Sequence, residues 1–499
     1  MSLPRDEWLD VARKVDWTYR YVTEQELFPE AMSGTPWLGH DEAWSDWSEA
    51  YRTSYSEYVQ NQSVKDLSVL AVRDALDKEH VYQHLEPGWL QLVKFHMGIF
   101  ALGEYAAVAA ELRMARFGRD SAWRIMASLG ALDEIRHAQI PLLLGHDLLQ
   151  ADDNFDWTHK AYHTNNWLII AARHAFDDTF SAADSIEIAI QLNLVFETGF
   201  TNLQFMALAA MADRADHHVF EKALVSIQTD EARHAQIGHP VVRALIRHGG
   251  RDYVQYLMDK MWWRSWRILV ATTGTAMDYL TPVEARSRSF KEFVEEWVAE
   301  QYMRNLEEFN LELPWFWQVF LDELDYAHHS LQLGLYVTRT LLWFDEPSPS
   351  ESERAWLLSK YPSWEATYGP IWSRIEDEWS QHGEAASLAY ALPGICNLCQ
   401  LPTSFVSPSH NSACTLKHGG RTYLFCSEPC RWIFQQEIER FAEHTTVVDR
   451  VVAGEAPNDL IELHAWMGHE TAASMGKDLR RGLDLWRFER PPLVQMPPG

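Results

Sequence analysis

Between Lys65 and Phe344, apolar residues recur at three- and four-residue spacing in long segments rich in Ala, Leu, Glu and Arg, with Gly and Pro scarce inside them. That period predicts amphipathic helices packed around a common core. Turn-forming residues interrupt it near Glu86-Pro87-Gly88, Gly118–Ser121, Asp152–Asn154, His248–Gly250 and Thr281-Pro282. Residues 1–64 are polar, rich in Trp and Tyr, and carry a turn signal at Met32–Pro36, so they read as an irregular arm with short helices. Glu346–Glu353 has the composition of a loop, and a further helical piece runs from about Glu351 to His382. From about Leu392 the pattern changes: Arg421–Phe425 is β-prone and Pro491–Gly499 is Pro-rich. The expected architecture is mainly all-α: an arm (1–64), a helical body (65–385), and a separate small C-terminal module (386–499).

Composition narrows the function. The 499 residues are 47% apolar, enough for a large core. A formal net charge of −28 with no offsetting basic run argues against nucleic acid as a partner. No stretch of 18 or more uncharged apolar residues appears, and the first residues lack an apolar leader, so neither a membrane span nor secretion is expected and the location expected is the cytoplasm. The 23 Trp residues are expected mainly in the core and at helix contacts.

The chemistry lies in a repeat. Asp133-Glu134-Ile135-Arg136-His137-Ala138-Gln139-Ile140 and Asp230-Glu231-Ala232-Arg233-His234-Ala235-Gln236-Ile237 agree at seven of eight positions, 97 residues apart. One Glu-x-x-His on a helix is weak evidence, but two near-identical copies are strong. At spacing i, i+3 the Glu and His share a face, so Glu134 with His137, and Glu231 with His234, can each grip an ion. A dinuclear carboxylate site in a four-helix bundle needs one further Glu from each of the other two helices. Glu104 and Glu197 stand in apolar helical segments 30 and 34 residues upstream of Glu134 and Glu231. An ionised Glu in such a setting is costly unless paired or bound to metal. Four carboxylates and two imidazoles suit iron or manganese. Asp133 and Asp230 could each hold an imidazole N–H, or instead pair with Arg136 or Arg233.

At these residues the chain resembles the large hydroxylase subunit of bacterial multicomponent diiron monooxygenases, and within them the toluene and alkene/isoprene branch. The likeness also covers Tyr21–Pro29, Gly103–Val108, Arg113–Phe117, Phe196–Asn202, Ser226–Glu231 and Ser289–Phe293. The resemblance implies two iron ions on Glu104, Glu134, His137, Glu197, Glu231 and His234. It implies O2 activation, with one oxygen atom going into a small apolar hydrocarbon and the other to water. Thr201, four residues after Glu197, would serve proton delivery; a hydroxyl bonded back along its own helix is the plain alternative. Asn202 and Gln228 would take part in partner-linked movement. The implied partners are β and γ subunits in a dimer of heterotrimers, an effector protein, and a Rieske ferredoxin with a reductase bringing electrons from NADH.

By the same resemblance Phe100, Gly103, Ala107, Phe176, Phe180, Phe196 and Phe205 would line the substrate pocket, although such a stripe usually means core packing. Phe100 and Phe180 look bulkier than the aliphatic residues of toluene-oxidising relatives, and Pro141 looks unusual; a narrow cavity would favour a small alkene over an arene. Five cysteines fall within 35 residues, and Cys396-x-x-Cys399 with Cys426-x-x-x-Cys430 has zinc-like pairing in a YHS-like module, with Cys414 left over. Reduced, metal-free thiols are the alternative. Competing functions are a ferritin-like store, a desaturase, a radical-generating subunit, which would need a tyrosine at the irons, and a noncatalytic structural subunit, which would lack the six ligands.

Overall fold

The computed structural model describes residues 52–77, 84–151, 165–181, 184–337, 349–383, 393–403 and 413–459, with scattered positions between 4 and 48 and at 82, 462, 463, 466 and 467. Tyr21–Pro29, the turn at Met32–Pro36, the break at Asp152–Asn154, residues 346–348 of the expected 346–353 loop and the Pro491–Gly499 tail lie outside the described residues.

The chain is built from helices α1 (Tyr55–Asp77), α2 (Pro87–Phe117), α3 (Ser121–Ala151), α4 (Trp167–Phe176), α5 (Ser185–Ile188), α6 (Asn202–Arg214), α7 (His218–Arg247) and α8 (Arg251–Leu269). After them come α9 (Phe290–Phe293), α10 (Glu300–Glu308), α11 (Trp317–Glu323), α12 (Ala327–Val337), α13 (Glu351–Lys360) and α14 (Trp364–His382). Strands β1 (Cys414–His418) and β2 (Arg421–Phe425) and helices α15 (Glu428–Gln436), α16 (Ile438–Phe441) and α17 (Val447–Ala453) complete it. The predicted breaks at Glu86–Gly88, Gly118–Ser121, His248–Gly250 and Thr281-Pro282 all separate helical segments.

Local chemistry sets these ends. Glu86 caps α2 by accepting from the Trp89 N–H at 2.8 Å, and Pro87 begins the helix where no N–H is needed. Capping boxes start α5 (Asp184 with Glu187), α9 (Ser289 with Glu292) and α13 (Ser350 with Glu353). The chain between α5 and α6 is π-helical from Ala189 to Thr201, a wider coil in which Thr198 Oγ1 donates to the Asn193 carbonyl five residues back at 2.8 Å.

A four-helix bundle forms from α2, α3, α7 and the continuous rod of α5, the π segment and α6; α2 packs on α3, and α7 packs on that rod. Gly238 permits the second contact, because a Cβ there would sit 2.5 Å from the Ala189 carbonyl oxygen. Helix α1 lies across α7, and α8 backs the π segment. Two expectations fail here. Helix α1 crosses the 64/65 boundary as one 23-residue helix, so the end of the arm is a structural part of the bundle. The C-terminal region is not a detached module either. Cys396, Leu398, Phe425, Cys430, Ile433 and Phe434 belong to the same continuous apolar core as the bundle, and α15 packs on α8. Strand β2 matches the predicted Arg421–Phe425 and pairs antiparallel with β1.

Most described Trp residues are core: Trp89, Trp123, Trp262, Trp263, Trp266, Trp364 and Trp372 are all essentially buried. Helix α2 is long and apolar enough to cross a membrane, but 53% of its apolar window is buried in the bundle, where it carries Glu104 and Glu111.

Candidate metal centre

Each of the bundle's four elements contributes carboxylate to one point. Glu104 comes from α2, Glu134 and His137 from α3, Glu197 from the π segment, and Glu231 and His234 from α7. Ligand atoms of Glu104, Glu134, His137 and Glu231 lie within 4.8 Å of one another, as do those of Glu134, Glu197, Glu231 and His234. Glu134 and Glu231 are common to both groups, so the cluster is two overlapping four-ligand sites. His137 Nδ1 lies 3.2 Å from Glu231, 3.5 Å from Glu134 and 3.8 Å from Glu104. His234 Nδ1 lies 3.0 Å from Glu134, 3.7 Å from Glu197 and 3.9 Å from Glu231.

The imidazoles are aimed from behind, crosswise. His137 on α3 donates Nε2–H to Asp230 on α7 at 3.3 Å, and His234 on α7 donates to Asp133 on α3 at 3.0 Å. With that proton committed, each Nδ1 faces the centre, where it could give its lone pair to a metal. Asp230 also accepts from Arg136 Nη1 at 3.0 Å, and Arg233 reaches both Asp133 and Asp230. The imidazole-holding and arginine-pairing roles weighed for the two Asp residues are therefore both present. Helix α1 adds partners that sequence reasoning missed: Tyr58 donates to Asp133 at 2.8 Å, Gln62 reaches both Asp residues, and Lys65 pairs with Asp230. Their signal was a polar stripe at i, i+4 and i+7.

Without a cation the arrangement is unstable in charge. Both Nδ1 atoms and both Glu134 oxygens are buried with no hydrogen-bond partner among the described residues. Burial, reinforced by Glu134 and Glu197, pushes the Glu231 carboxyl up to about 8. Burial also raises Glu104 and Glu197, in each case against a neighbouring imidazole. Glu134 is buried too, but the two imidazoles outweigh that and hold it below the usual carboxylate range. Unpaired buried carboxylates cost several kcal/mol each. Divalent cations would supply the missing charge and the partner for every orphaned atom, so the donor set fits two ions. A second omission is Asn193, whose Nδ2 donates at 2.8 Å to both Glu197 and the buried Glu111.

Thr201 borders the cavity over this cluster, and its hydroxyl leans on the Glu197 carbonyl at 3.4 Å, the local bond weighed against a catalytic role. Asn202 accepts from Gln228 Nε2 at 2.7 Å, both half-buried. Tyr105 is 42% exposed, facing away from the cluster as its position beside Glu104 requires.

The cavity measures about 120 Å³, and Glu104, Glu134, Glu197 and Glu231 form one part of its wall. All seven pocket residues proposed from the sequence line it: Phe100, Gly103, Ala107, Phe176, Phe180, Phe196 and Phe205. Phe176 stacks on Phe180 at 5.1 Å, Phe180 meets Phe196 at 5.6 Å, and Phe100 meets Phe205 edge-on at 5.4 Å. The rings make a mostly apolar box suited to an uncharged guest. Pro141 lies inside α3, buried and outside this lining. Farther along the chain, sulfur atoms of Cys396, Cys399, Cys426 and Cys430 lie within 4.8 Å of one another, while Cys414 stands outside that group.

This combination defines a helical-bundle enzyme of the dinuclear carboxylate class. A family model described as Methane/Phenol/Alkene Hydroxylase matches residues 17–249, and the chain belongs to that family. It is 41% identical over 480 residues to the alpha subunit of the oxygenase component of the alkene monooxygenase system of Xanthobacter autotrophicus, covering 96% of each chain. It is 24% identical to the phenol 2-monooxygenase oxygenase component DmpN of a Pseudomonas species, over 92% of this chain and 89% of the other. Its fold matches the crystal structure of xenon-pressurised phenol hydroxylase from Pseudomonas sp. OX1 with a TM-score of 0.82, at 22% identity over 98% of this chain and 96% of that one. These relatives are oxygenase components of monooxygenases, an oxidoreductase activity.

Proposed function

We propose that the chain is the catalytic oxygenase subunit of a multicomponent diiron monooxygenase that epoxidises a small alkene. The observation that carries this reading is the pair of overlapping ligand groups sharing Glu134 and Glu231, set in the wall of a phenylalanine-lined cavity. Glu104, Glu134, His137 and Glu231 would hold one iron, and Glu134, Glu197, Glu231 and His234 the other. When bound, the iron pair supplies the redox chemistry that O2 activation requires. The chain's own residues do the rest. Asp133 and Asp230 fix the imidazole protons at Nε2, Asn193 steadies Glu197, and the phenylalanines keep water out and hold an apolar substrate against the carboxylates. Thr201, a hydroxyl on the cavity wall, would serve proton delivery to the site.

An alkene is favoured over an arene because bulky Phe100 and Phe180 both line the cavity, and because the 41% identical relative is an alkene monooxygenase component. Partner β and γ subunits, an effector protein, a Rieske ferredoxin and an NADH-linked reductase complete the proposed system, in keeping with relatives that are components of larger assemblies. The four thiols would hold a structural zinc. The test is direct: reduce the iron-loaded hydroxylase anaerobically with its companion subunits, then admit O2 with equal isoprene and toluene. Mainly epoxide is expected. Mainly cresols would overturn the alkene preference, and no oxygenated product from either, despite two irons per chain, would overturn the reading itself.

A further inference from the structure

The cavity beside the carboxylates reaches the cysteine cluster. Its lining runs from Glu104, Glu197 and Thr201 to Cys399 and Leu401, two residues of the turn that carries half of the thiols. That turn is tightly wound. The Cys396 N–H donates to the Leu401 carbonyl at 2.9 Å, the Gln400 N–H donates to the Cys396 carbonyl at 3.0 Å, and Ile395 bridges Pro402. Gln400 sits at φ 61, a left-handed conformation that strains any residue other than glycine and persists only where surrounding structure enforces it. The N–H groups of Leu398 and Cys399 both donate to Cys396 Sγ at 3.4 Å, which presents that sulfur as an acceptor.

The other two thiols belong to different elements. Cys426 follows β2 and Cys430 lies in α15; their sulfurs are 3.4 Å apart, and Cys426 Sγ is 3.7 Å from Cys399 Sγ. Helix α8 joins this cluster to the cavity. Trp263 Nε1 donates to Cys430 Sγ at 3.1 Å, while Arg264, Arg267 and Ile268 of the same helix line the cavity. Arg267 is held by Glu323 at 2.6 Å. The position of Leu401 thus follows from the backbone of a turn whose shape is closed through sulfur.

We propose that the four-cysteine cluster sets substrate size: a zinc ion on Cys396, Cys399, Cys426 and Cys430 locks the 396–401 turn and thereby fixes Leu401 as a wall of the substrate cavity. This rests on the reading of that cavity as the oxygenation site. It makes the cysteine region a specificity element of the reaction rather than a remote staple.

Three variants, studied in the complete hydroxylase with its companion subunits, test it. Leu401→Ala and Leu401→Phe alter the wall without touching a sulfur, and Cys426→Ser breaks the cluster at a sulfur outside the cavity lining. Iron and zinc per chain are measured first. Zinc is expected in the wild type and lost in Cys426→Ser, with iron retained. The ratio of kcat/KM for toluene over isoprene is expected to rise about tenfold in Leu401→Ala and in Cys426→Ser, and to fall in Leu401→Phe, a single methylene in a pocket already being worth about that much. Should Cys426→Ser fail to accumulate, removing zinc from wild-type protein with a chelator under reducing conditions, followed by restoring iron, gives the equivalent species. The relative affinity for toluene and isoprene in the resting protein, read by saturation-transfer NMR, must move in the same directions. That measurement needs no turnover, so it reads the wall even if the wild type oxygenates neither compound, which would sink the functional reading separately. Unchanged ratios in both Leu401 variants overturn the proposal, as does a zinc-free protein whose ratios match the wild type.

Discussion

The carboxylate–imidazole cluster and the four-cysteine cluster border one cavity but are built in opposite ways. The first draws four carboxylates and two imidazoles from four helical segments, shares two of the carboxylates, and opens onto an apolar space. The second draws four soft donors from a turn, a strand end and a short helix, and its sulfurs accept from the Trp263 indole and from backbone N–H groups. Oxygen and nitrogen donors that can shift as charge changes suit a metal that does chemistry, whereas a closed sulfur shell suits one that only holds shape. The lesson is that a ligand cluster is read by what surrounds it. Asp133 and Asp230 brace the imidazoles from behind while their front stays open, whereas of the four clustered cysteines Cys399 alone lines the cavity.

The strongest way to break this contrast is His234→Ala. It removes a donor belonging to one four-ligand group, so one iron should be lost and oxygenation should fall by more than the roughly hundredfold that an outer partner is worth. Iron analysis beside a product assay checks this, and two irons with normal turnover would refute it. Next in size is Asp133→Asn, which leaves all six ligands but releases the His234 Nε2 proton and an Arg233 contact. Iron affinity should weaken by about 10- to 100-fold in a chelator competition. Cys426→Ser should do the reverse at the other cluster: zinc lost, iron unchanged, and Tm lower by a few degrees, read by metal analysis and thermal melting.

The smallest effect concerns a buried carboxylate that no metal serves. Asp259 on α8 accepts from Gln255 at 2.9 Å and from Tyr302 at 3.3 Å, and burial pushes it up to about 7. Its folded pKa lies above the ordinary value of about 4, so its favourable contribution is full below that value and is lost as pH rises towards 7. Asp259→Asn should therefore melt close to wild type at pH 4 and a few degrees higher at pH 8. Parallel melting curves at both pH values would show that the buried carboxyl carries no such penalty.

The two clusters were also unequally legible in the sequence. The six donors could be found because a helix converts spacing into facing, and the repeated Asp-Glu-x-Arg-His string fixes which faces meet. The cysteines could be found from pairing alone, but their place beside the cavity could not, since a change of composition near Leu392 marks a change of architecture and not where the new part docks. Tyr58 and Gln62 were hidden because the polar, aromatic-rich stretch before residue 65 reads as an arm, although α1 begins at Tyr55, and Lys65 because the cut fell at that residue. The π segment left no mark, because bonding five residues back demands no particular side chain. Glu111 and Asn193 were unremarkable in their helices until the fold set them 2.8 Å apart.

Two irons sharing Glu134 and Glu231 in a site without sulfur would show in X-ray absorption at the iron edge of the purified hydroxylase. The expected result is two irons per chain, oxygen and nitrogen as the only nearest neighbours, and iron–iron scattering at roughly 3.5–4 Å, the separation of bridged two-metal sites. A single isolated iron, or sulfur among its nearest neighbours, would contradict the shared site.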